Sequence, residues 1–399
     1  MPVGVAVLDD WGFDFEKAEP IENQRMTVLN ATSLDVIAHE TFADIKQQYG
    51  HAALTFHRVD LHHGLRDLAT GPEGEHHSWG QPASLHCGNA VITIDCDRGT
   101  LELASGEVMK KDLLIIADGA HSDLYSQFTG EPDPIKRIGK SLYRILLNHA
   151  EVLSNPNTAH LLTSYPTAHK GFFSALDPVD GAYTITYPCR SQSPVLNVAI
   201  VHNTKPSPEA SSNERAEKSW QSPASIAEVL GTIHNYHPDF KALISLGKDD
   251  DDIKIHHAMR RPPLKSFASG RALVIGDAAH LMMPTHAAGA SMAIESAGVL
   301  EVLMRDVTAD SPAEVIQERL KIFDRLRVPR CTAFQILSNE GWMSQAQPEV
   351  VAQIREQGFH GWLPGPDAGP WSAEFRKWYF NHDARAEAKQ ALRILKDEE

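Results

Sequence analysis

The stretch from Arg271 to Leu300, RALVIGDAAHLMMPTHAAGASMAIESAGVL, constrains this chain more than any other. Ala272-Leu273-Val274-Ile275 is a short apolar run of the kind that forms a buried strand, and Gly276-Asp277 ends it where the chain must turn. A loop with Pro284 and Gly289 follows. Beyond it Ala293, Ala297, Leu300 and Met304 fall on one face at helical spacing, with Ser291, Glu295 and Glu301 away from that face. The pattern predicts a strand that hands a carboxylate to the Gly-rich start of a helix. There Asp277 can accept hydrogen bonds from sugar or polyol hydroxyls, and the N–H groups around Ala288, Gly289 and Ala290 can face a phosphate or an electron-rich ring edge. That set of groups suits the ribityl chain and pyrimidine side of a flavin. Asp277 alone would be no more than a helix cap; the strand before it and the loop after it argue for a ligand.

Composition sets the frame for this device. With 399 residues, 42% of them hydrophobic and 22% charged, the chain can bury a large core and has the balance of a globular protein of two or three domains. A net charge of −15 argues against general binding to nucleic acid or anionic membranes. No apolar stretch approaches transmembrane length, and the first residues lack the basic start and apolar run of a signal peptide, so a cytoplasmic setting without a membrane anchor is expected. Cys87, Cys96, Cys189 and Cys331 show no C-x-x-C spacing, which fits free thiols in a reducing compartment.

Other rivals are weak. The histidines include adjacent pairs at 62/63, 76/77 and 256/257, but neighbouring side chains point apart and no H-E-x-x-H or Cys/His set accompanies them, so no metal is expected. There is no G-x-S-x-G nucleophile elbow. Along the chain, Val91 to Ile94 and Leu101 to Leu103 flank Asp97-Arg98-Gly99 as a hairpin, and Leu113 to Ala117 reads as a fully apolar strand central to a sheet. Ala182 to Tyr187 and Val195 to Val201 read as paired strands, Thr204 to Ser225 as a solvated connection, and Pro312 to Val328 as an amphipathic helix.

Several segments, in order, resemble the aromatic-ring hydroxylases, the single-component FAD-dependent monooxygenases, and particularly their salicylate hydroxylase-like branch. The Arg271–Leu300 stretch resembles the second FAD motif of that family, and His57-Arg58-Val59-Asp60-Leu61-His62 its arginine-bearing helix near the FAD phosphates. Asp112 to Ser122 resembles the shared Asp-Gly motif that serves FAD and NAD(P)H. Tyr143-Arg144, Tyr187-Pro188-Cys189-Arg190, Arg260 to Leu264 and the tail from Trp378 to Ala384 match further landmarks.

The resemblance implies an α/β fold: a Rossmann-like FAD/NAD(P)-binding domain, a mixed β-sheet substrate domain and C-terminal helices. The expected division is residues 1–140 and 261–345 for the FAD domain, 141–260 for the substrate domain and 346–399 for the tail. It also implies FAD and NAD(P)H as cofactors, O2 as co-substrate, and transfer of one oxygen atom to a small phenolic or other aromatic molecule, in natural-product biosynthesis, with a homodimer as one assembly. Arg58, Asp118, Asp277, Pro284, Gly289 and Ala290 are the implied cofactor residues. Arg144 and Tyr187 are the implied catalytic pair, a fixed cation and a phenol that hold a carboxylate or phenolate, with Arg190 as a weaker alternative. Structural readings of the same residues compete: an ion pair for Arg58 or Arg144, a common turn for Asp118-Gly119, a sheet-surface aromatic for Tyr187.

One motif of the family is absent. The opening MPVGVAVLDDWGFDF carries no G-x-G-x-x-G; Gly4 and Gly12 have the wrong spacing, and Val5 to Gly12 resembles the helix that follows the first nucleotide-binding unit. The expectation at this point is either a truncated sequence or a protein that has lost normal FAD binding. The rival function is then a flavin-free homologue, acting as a non-redox enzyme or a small-molecule-binding protein.

Overall fold

In the computed structural model, residues 1–71, 81–164, 170–204, 221–248, 253–340, 347–369 and 371–398 are described. An eight-stranded sheet dominates. Its strands are β1 (Arg25–Asn30), β2 (Val36–Thr41), β7 (Lys136–Asn148), β8 (Gly171–Leu176), β9 (Tyr183–Cys189), β10 (Val195–Asn203), β11 (Gln221–Pro223) and β12 (Lys254–Arg260), in the order β11-β12-β7-β10-β9-β8-β1-β2. Only β1 and β8 run parallel; the other neighbours are antiparallel. The first two strands therefore come from residues 25–41, far ahead of the rest in sequence.

Alternation separates the two faces of this sheet. Tyr143, Ile145 and Leu147 of β7 are buried on one face with Val198, Ile200 and Phe173, covered by α3 (His149–Ser154), α4 (Ala159–Thr163), α5 (Ile226–Thr232) and α6 (Pro238–Ile244). Helix α5 starts at a capping box, Ser225 with Glu228, and α6 at Pro238 in the first helical position, so both helices begin where their sequences dictate. Phe240 of α6 is fully buried there, contributing roughly 1.5–3 kcal/mol. The opposite face carries Leu142, Ile185, Val201 and Tyr187 and turns toward Met283 and the second part of the molecule.

That second part holds two small sheets. One is the antiparallel meander of β3 (Val91–Asp95), β4 (Thr100–Leu103) and β5 (Val108–Lys110), as the hairpin signal predicts. The other has the order β13-β14-β6, from β6 (Leu114–Ile116), β13 (Ala268–Ser269) and β14 (Ala272–Val274), with β14 parallel to β6. The sequence placed Leu113 to Ala117 centrally; β6 instead lies at the sheet's edge among the described residues, and Ile115 is half exposed while Leu114 and Ile116 are buried. An apolar run reports burial of its side chains, not the number of neighbouring strands.

Four helices pack around these strands: α1 (Pro2–Asp10), α8 (Gly289–Met304), α9 (Ala313–Glu340) and α12 (Ala384–Glu398), with α8 in contact with the other three. The helix expected over Val5 to Gly12 is present as α1. Gly298 of α8 sits where a Cβ would come to 3.0 Å from Val7 and 3.2 Å from Arg385, so a side chain there would require the Val7 and Arg385 side chains to shift, and α8 packs closely on α1 and α12. The expected polar face of α8 is not one: Ser291 and Glu295 are buried. Helical spacing marks which side chains share a face but not whether ionic partners let a carboxylate go inside. Of the Thr204–Ser225 connection, residues 205–220 lie outside the described residues, and Gln221–Pro223 forms an edge strand rather than a loop.

Glu295 is paid for by two arginines of α9. Its Oε2 accepts from Arg327 Nη1 at 2.8 Å and Arg330 Nε at 2.9 Å, and Oε1 accepts from Arg330 Nη2 at 3.1 Å. All three side chains are at most 5% exposed. Burial alone would raise the Glu295 carboxyl, but Arg330 and Arg327 together outweigh it and hold it down at about 2. Removing one partner of a buried pair strands the others, so Glu295→Ala is expected to cost roughly 3–5 kcal/mol in denaturant unfolding. Because the folded carboxyl lies below its ordinary value of 4.5, the stability it contributes is present above that pH and lost as pH falls from there toward 2. Glu295→Gln should remove that acid-side dependence; an unchanged pH profile would show that the pair does not act this way.

Candidate functional site

The site begins where two parallel strands end. After β6, Asp118 stands exposed beside Gly119, whose φ of +84° needs a residue without a Cβ. After β14, Gly276 takes φ 64° and ψ −148°, a region open essentially to glycine alone, and so delivers Asp277 as the first residue of α7 (Asp277–His280). Ile116 pairs with Val274 in register, so both carboxylates leave the carboxyl ends of adjacent parallel strands, the edge of an α/β sheet where ligands bind.

Asp277 faces the start of α8. Its Oδ1 lies 3.8 Å from where a Cβ on Gly289 would stand, and no side chain caps this helix at Ala288. The first N–H groups of α8, at Gly289 and Ala290, are therefore left to a ligand or water. The connecting loop is held from α9: Met283 N donates to Asn339 Oδ1 at 3.0 Å, Thr285 Oγ1 donates to the Ser338 carbonyl at 2.6 Å, and His286 Nδ1 lies 3.2 Å from Ser338 Oγ. Pro284 opens a single 3₁₀ turn and Ala287 takes φ 47°, which together fix the approach to Gly289.

Asp277 has an exposed surface, yet the protein around it desolvates the carboxyl enough to raise its pKa, against the opposing charges of His280 and Arg261. An exposed group in dense surroundings lines a recess rather than a bulge. A recess bearing a hydroxyl-accepting carboxylate and uncapped helix N–H groups fits the polyol and ring-edge chemistry of a flavin. His280 is fully buried behind it, in a structural place.

Arg144 and Tyr187 share the sheet face that turns toward this part of the molecule. Arg144 stands opposite Ala199 on one side and Lys254 on the other; Tyr187 stands opposite Asn197, which stands opposite Leu146. Two inter-strand spacings, across β10, and one step of alternation separate them, roughly 12 Å between backbones, a span that one small aromatic molecule can bridge with both side chains extended. Burial raises the Tyr187 phenol, and the Arg144 charge pulls against it. His256 is pushed down to about 4, by burial first and then by Arg144 and Lys254, and is neutral at ordinary pH. Among the described residues neither Arg144 nor Lys254 pairs with a carboxylate, which leaves this face cationic.

Arg58 stands apart from both groups. It is the first residue of α2 (Arg58–Thr70), exposed, and without a hydrogen bond or ion pair among the described residues. Arg190, the weaker substrate candidate, is engaged elsewhere: its Nε and Nη2 hold Asp60 at 2.6 and 2.9 Å, and Nη2 lies 3.2 Å from His57 Nδ1. This clamp fastens α2, which has no buried residue of its own, to the end of β9. Sequence reasoning gave no role to Arg261, which is buried, held bidentately by Asp133 at 2.8 and 2.7 Å, and lies 4.6 Å over the Tyr125 ring. Its Nη1 has no hydrogen-bond partner, and its charge reaches Asp277. Nothing in an Arg-Arg-Pro-Pro string separates such a residue from a surface cation.

Two carboxylates stand at the ends of adjacent parallel strands, and one of them, Asp277, faces an uncapped helix start, the edge of an α/β sheet where ligands bind. Residues 245–312 match the family described as FAD binding domain. The FAD-dependent monooxygenase phomE of Diaporthe leptostromiformis is 30% identical over 376 residues, covering 94% of this chain and 91% of the relative. Hispidin-3-hydroxylase of Neonothopanus nambi is 27% identical over 97% of this chain and 85% of its own length. The fold matches a salicylate hydroxylase solved as a substrate complex, with a TM-score of 0.70 at 21% identity over 97% of this chain and 88% of that one. The chain belongs to the FAD-dependent monooxygenase family.

The Asp60–Arg190 clamp carries its own prediction. Arg190 sits at φ 61°, a strained position for a side-chain-bearing residue, and Asp60 is held below its ordinary pKa chiefly by the hydrogen bond from Arg190. Both groups are partly exposed, so screening limits the loss in Asp60→Asn to about 1 kcal/mol. Amide hydrogen exchange along α2 should nevertheless quicken in that variant while β7 and β10 stay protected. Unchanged exchange in α2 would show that the helix is held by other contacts.

Proposed function

We propose that this monooxygenase hydroxylates a small phenolic or other aromatic molecule bearing a negative charge, consuming NAD(P)H and O2. The observation that carries the reading is the single sheet face on which Arg144, Lys254 and Tyr187 stand together, turned toward the Asp277 recess. We assign residues 1–140 and 261–345 to the FAD domain, 141–260 to the substrate domain and 346–399 to the tail, with residues 25–41 lending two strands to the substrate sheet. The four free cysteines fit a reducing, cytoplasmic setting. Among the described residues no helix is long and apolar enough to cross a membrane. A place in natural-product biosynthesis is part of this proposal.

The roles divide by chemistry. Asp277 would accept hydrogen bonds from the hydroxyls of the cofactor's polyol chain, and the N–H groups of Gly289 and Ala290 would be the donors left to it. Pro284 sets the loop that aims them, Asp118 lines the neighbouring strand end, and Arg58 is free to meet a phosphate. Bound FAD supplies the redox chemistry. Arg144 holds the substrate's carboxylate or phenolate with a charge that cannot be titrated away, and Tyr187 orients the ring by hydrogen bonding. The neutral His256 beside them adds no competing charge.

Oxidation of NADH and NADPH by the FAD-loaded chain, measured against a panel of phenols and aromatic acids, should be stimulated by a subset of them, with gain of one oxygen atom in the product by mass spectrometry. Arg144→Met should lower kcat/KM for anionic substrates by about 30–100-fold, the worth of one charge-assisted hydrogen bond, and change neutral ones little. Tyr187→Phe should cost about tenfold. A flavin-loaded protein whose NAD(P)H oxidation no aromatic compound stimulates would overturn the reading.

A further inference from the structure

A cavity of about 450 Å³, sharing no lining residue with the Asp277 recess, lies between α9, the Gly358–Trp362 turn and the helices α11 (Ala373–Phe380) and α12. Arg327 of α9 faces α8. Arg325 and Pro329 stand two residues to either side of it, about 200° around the helix, and line the cavity. Pro329 lies inside α9 and has no N–H, so the Arg325 carbonyl four residues earlier is deprived of its helical donor. The Arg325 carbonyl thereby keeps its capacity to accept a hydrogen bond, on a residue that lines the cavity.

The same wall carries charge and aromatic surface. Arg325 and Lys377 both line it, both are exposed, and among the described residues neither pairs with a carboxylate. In a chain of net charge −15, two such cations converging on one cavity select for an anion. Trp378, Phe359 and the half-exposed Trp362 supply ring faces. The walls are built: Trp378 stacks on Phe334 at 4.3 Å, and Arg355 Nη1 donates to the Phe359 carbonyl at 2.8 Å and to the Gly361 carbonyl, fixing the turn. One carboxylate, Glu387, also lines the cavity; it lies 3.4 Å from His382 Nδ1, and burial raises its pKa.

We propose that this cavity is a second ligand site, which takes a planar aromatic anion carrying a hydroxyl, a phenolic carboxylate. The carboxylate lies between Lys377 and Arg325, the ring against Trp362 and Trp378, and the hydroxyl donates to the Arg325 carbonyl. The volume is that of an ordinary small-molecule pocket. The site is separate from the flavin recess and goes beyond the hydroxylase reading without resting on it.

The test is a titration of the full chain, with FAD added and tryptophans replaced by 5-fluorotryptophan, with 2-hydroxybenzoate followed by fluorine NMR. The Trp362 resonance, assigned by Trp362→Phe, should shift saturably. Lys377→Glu and Arg325→Glu should each weaken that shift at least tenfold with the thermal midpoint unchanged, and the neutral methyl ester of the probe should bind at least tenfold more weakly. Arg144→Met, on the substrate sheet, should leave the shift intact. The proposal is overturned if the Trp362 resonance does not shift at millimolar probe, if the ester binds as well as the acid, or if Arg144→Met abolishes the shift while Lys377→Glu does not. Turnover is not read at any point, so failure here is distinct from failure of the hydroxylase assignment.

Discussion

The contact on which the rest of this structure depends is the buried carboxylate of Glu295 between Arg327 and Arg330. It ties α8 to α9 where both are inaccessible to water, and Arg327 Nη2 and Arg330 Nη2 extend it to the carbonyls of Met292 and Tyr379, each at 3.2 Å. An isolated buried charge would be costly; three that satisfy one another fix the relative position of the helices they join. The start of α8 and the loop pinned to the far end of α9 are placed by that junction. The geometry at Asp277 and Gly289 follows from it.

The two halves of the site are made by different physics. On the cofactor side, backbone conformation does most of the positioning: a glycine in a region closed to other residues, a left-handed Ala287, and a helix start with no side-chain cap. On the substrate side, strand register does it, since the alternation of a pleated sheet sends Arg144 and Tyr187 to the same face and their hydrophobic neighbours to the other.

The cofactor motif was legible in the sequence because its determinants are local. A strand, a Gly-Asp turn and a Gly-rich helix start occupy consecutive residues, and the structure places them as read. The paired strands of the substrate sheet and the Val91–Leu103 hairpin were legible for the same reason. The apparent polar face of α8 misled, since the partners that bury Glu295 lie more than thirty positions away in α9. Arg190 resembled a substrate ligand until its partner Asp60, at a sequence distance of 130, came into view. Arg261 was marked only as part of the Arg260–Leu264 landmark and given no role, because only the fold brings Asp133 and Tyr125 to it. The missing G-x-G-x-x-G raised two expectations, a truncated sequence or a loss of normal FAD binding; the Gly-Asp turn and the uncapped start of α8 are present in the structure all the same.

The most direct test of this account is the flavin retained by the purified chain after incubation with FAD and desalting, read from its visible absorption and compared with Asp277→Ala. Near-stoichiometric flavin in the parent chain, and loss of most of it in the variant, is the result expected if the Asp277–Gly289 geometry forms the cofactor site. A colourless parent protein, or equal retention by both, would contradict it.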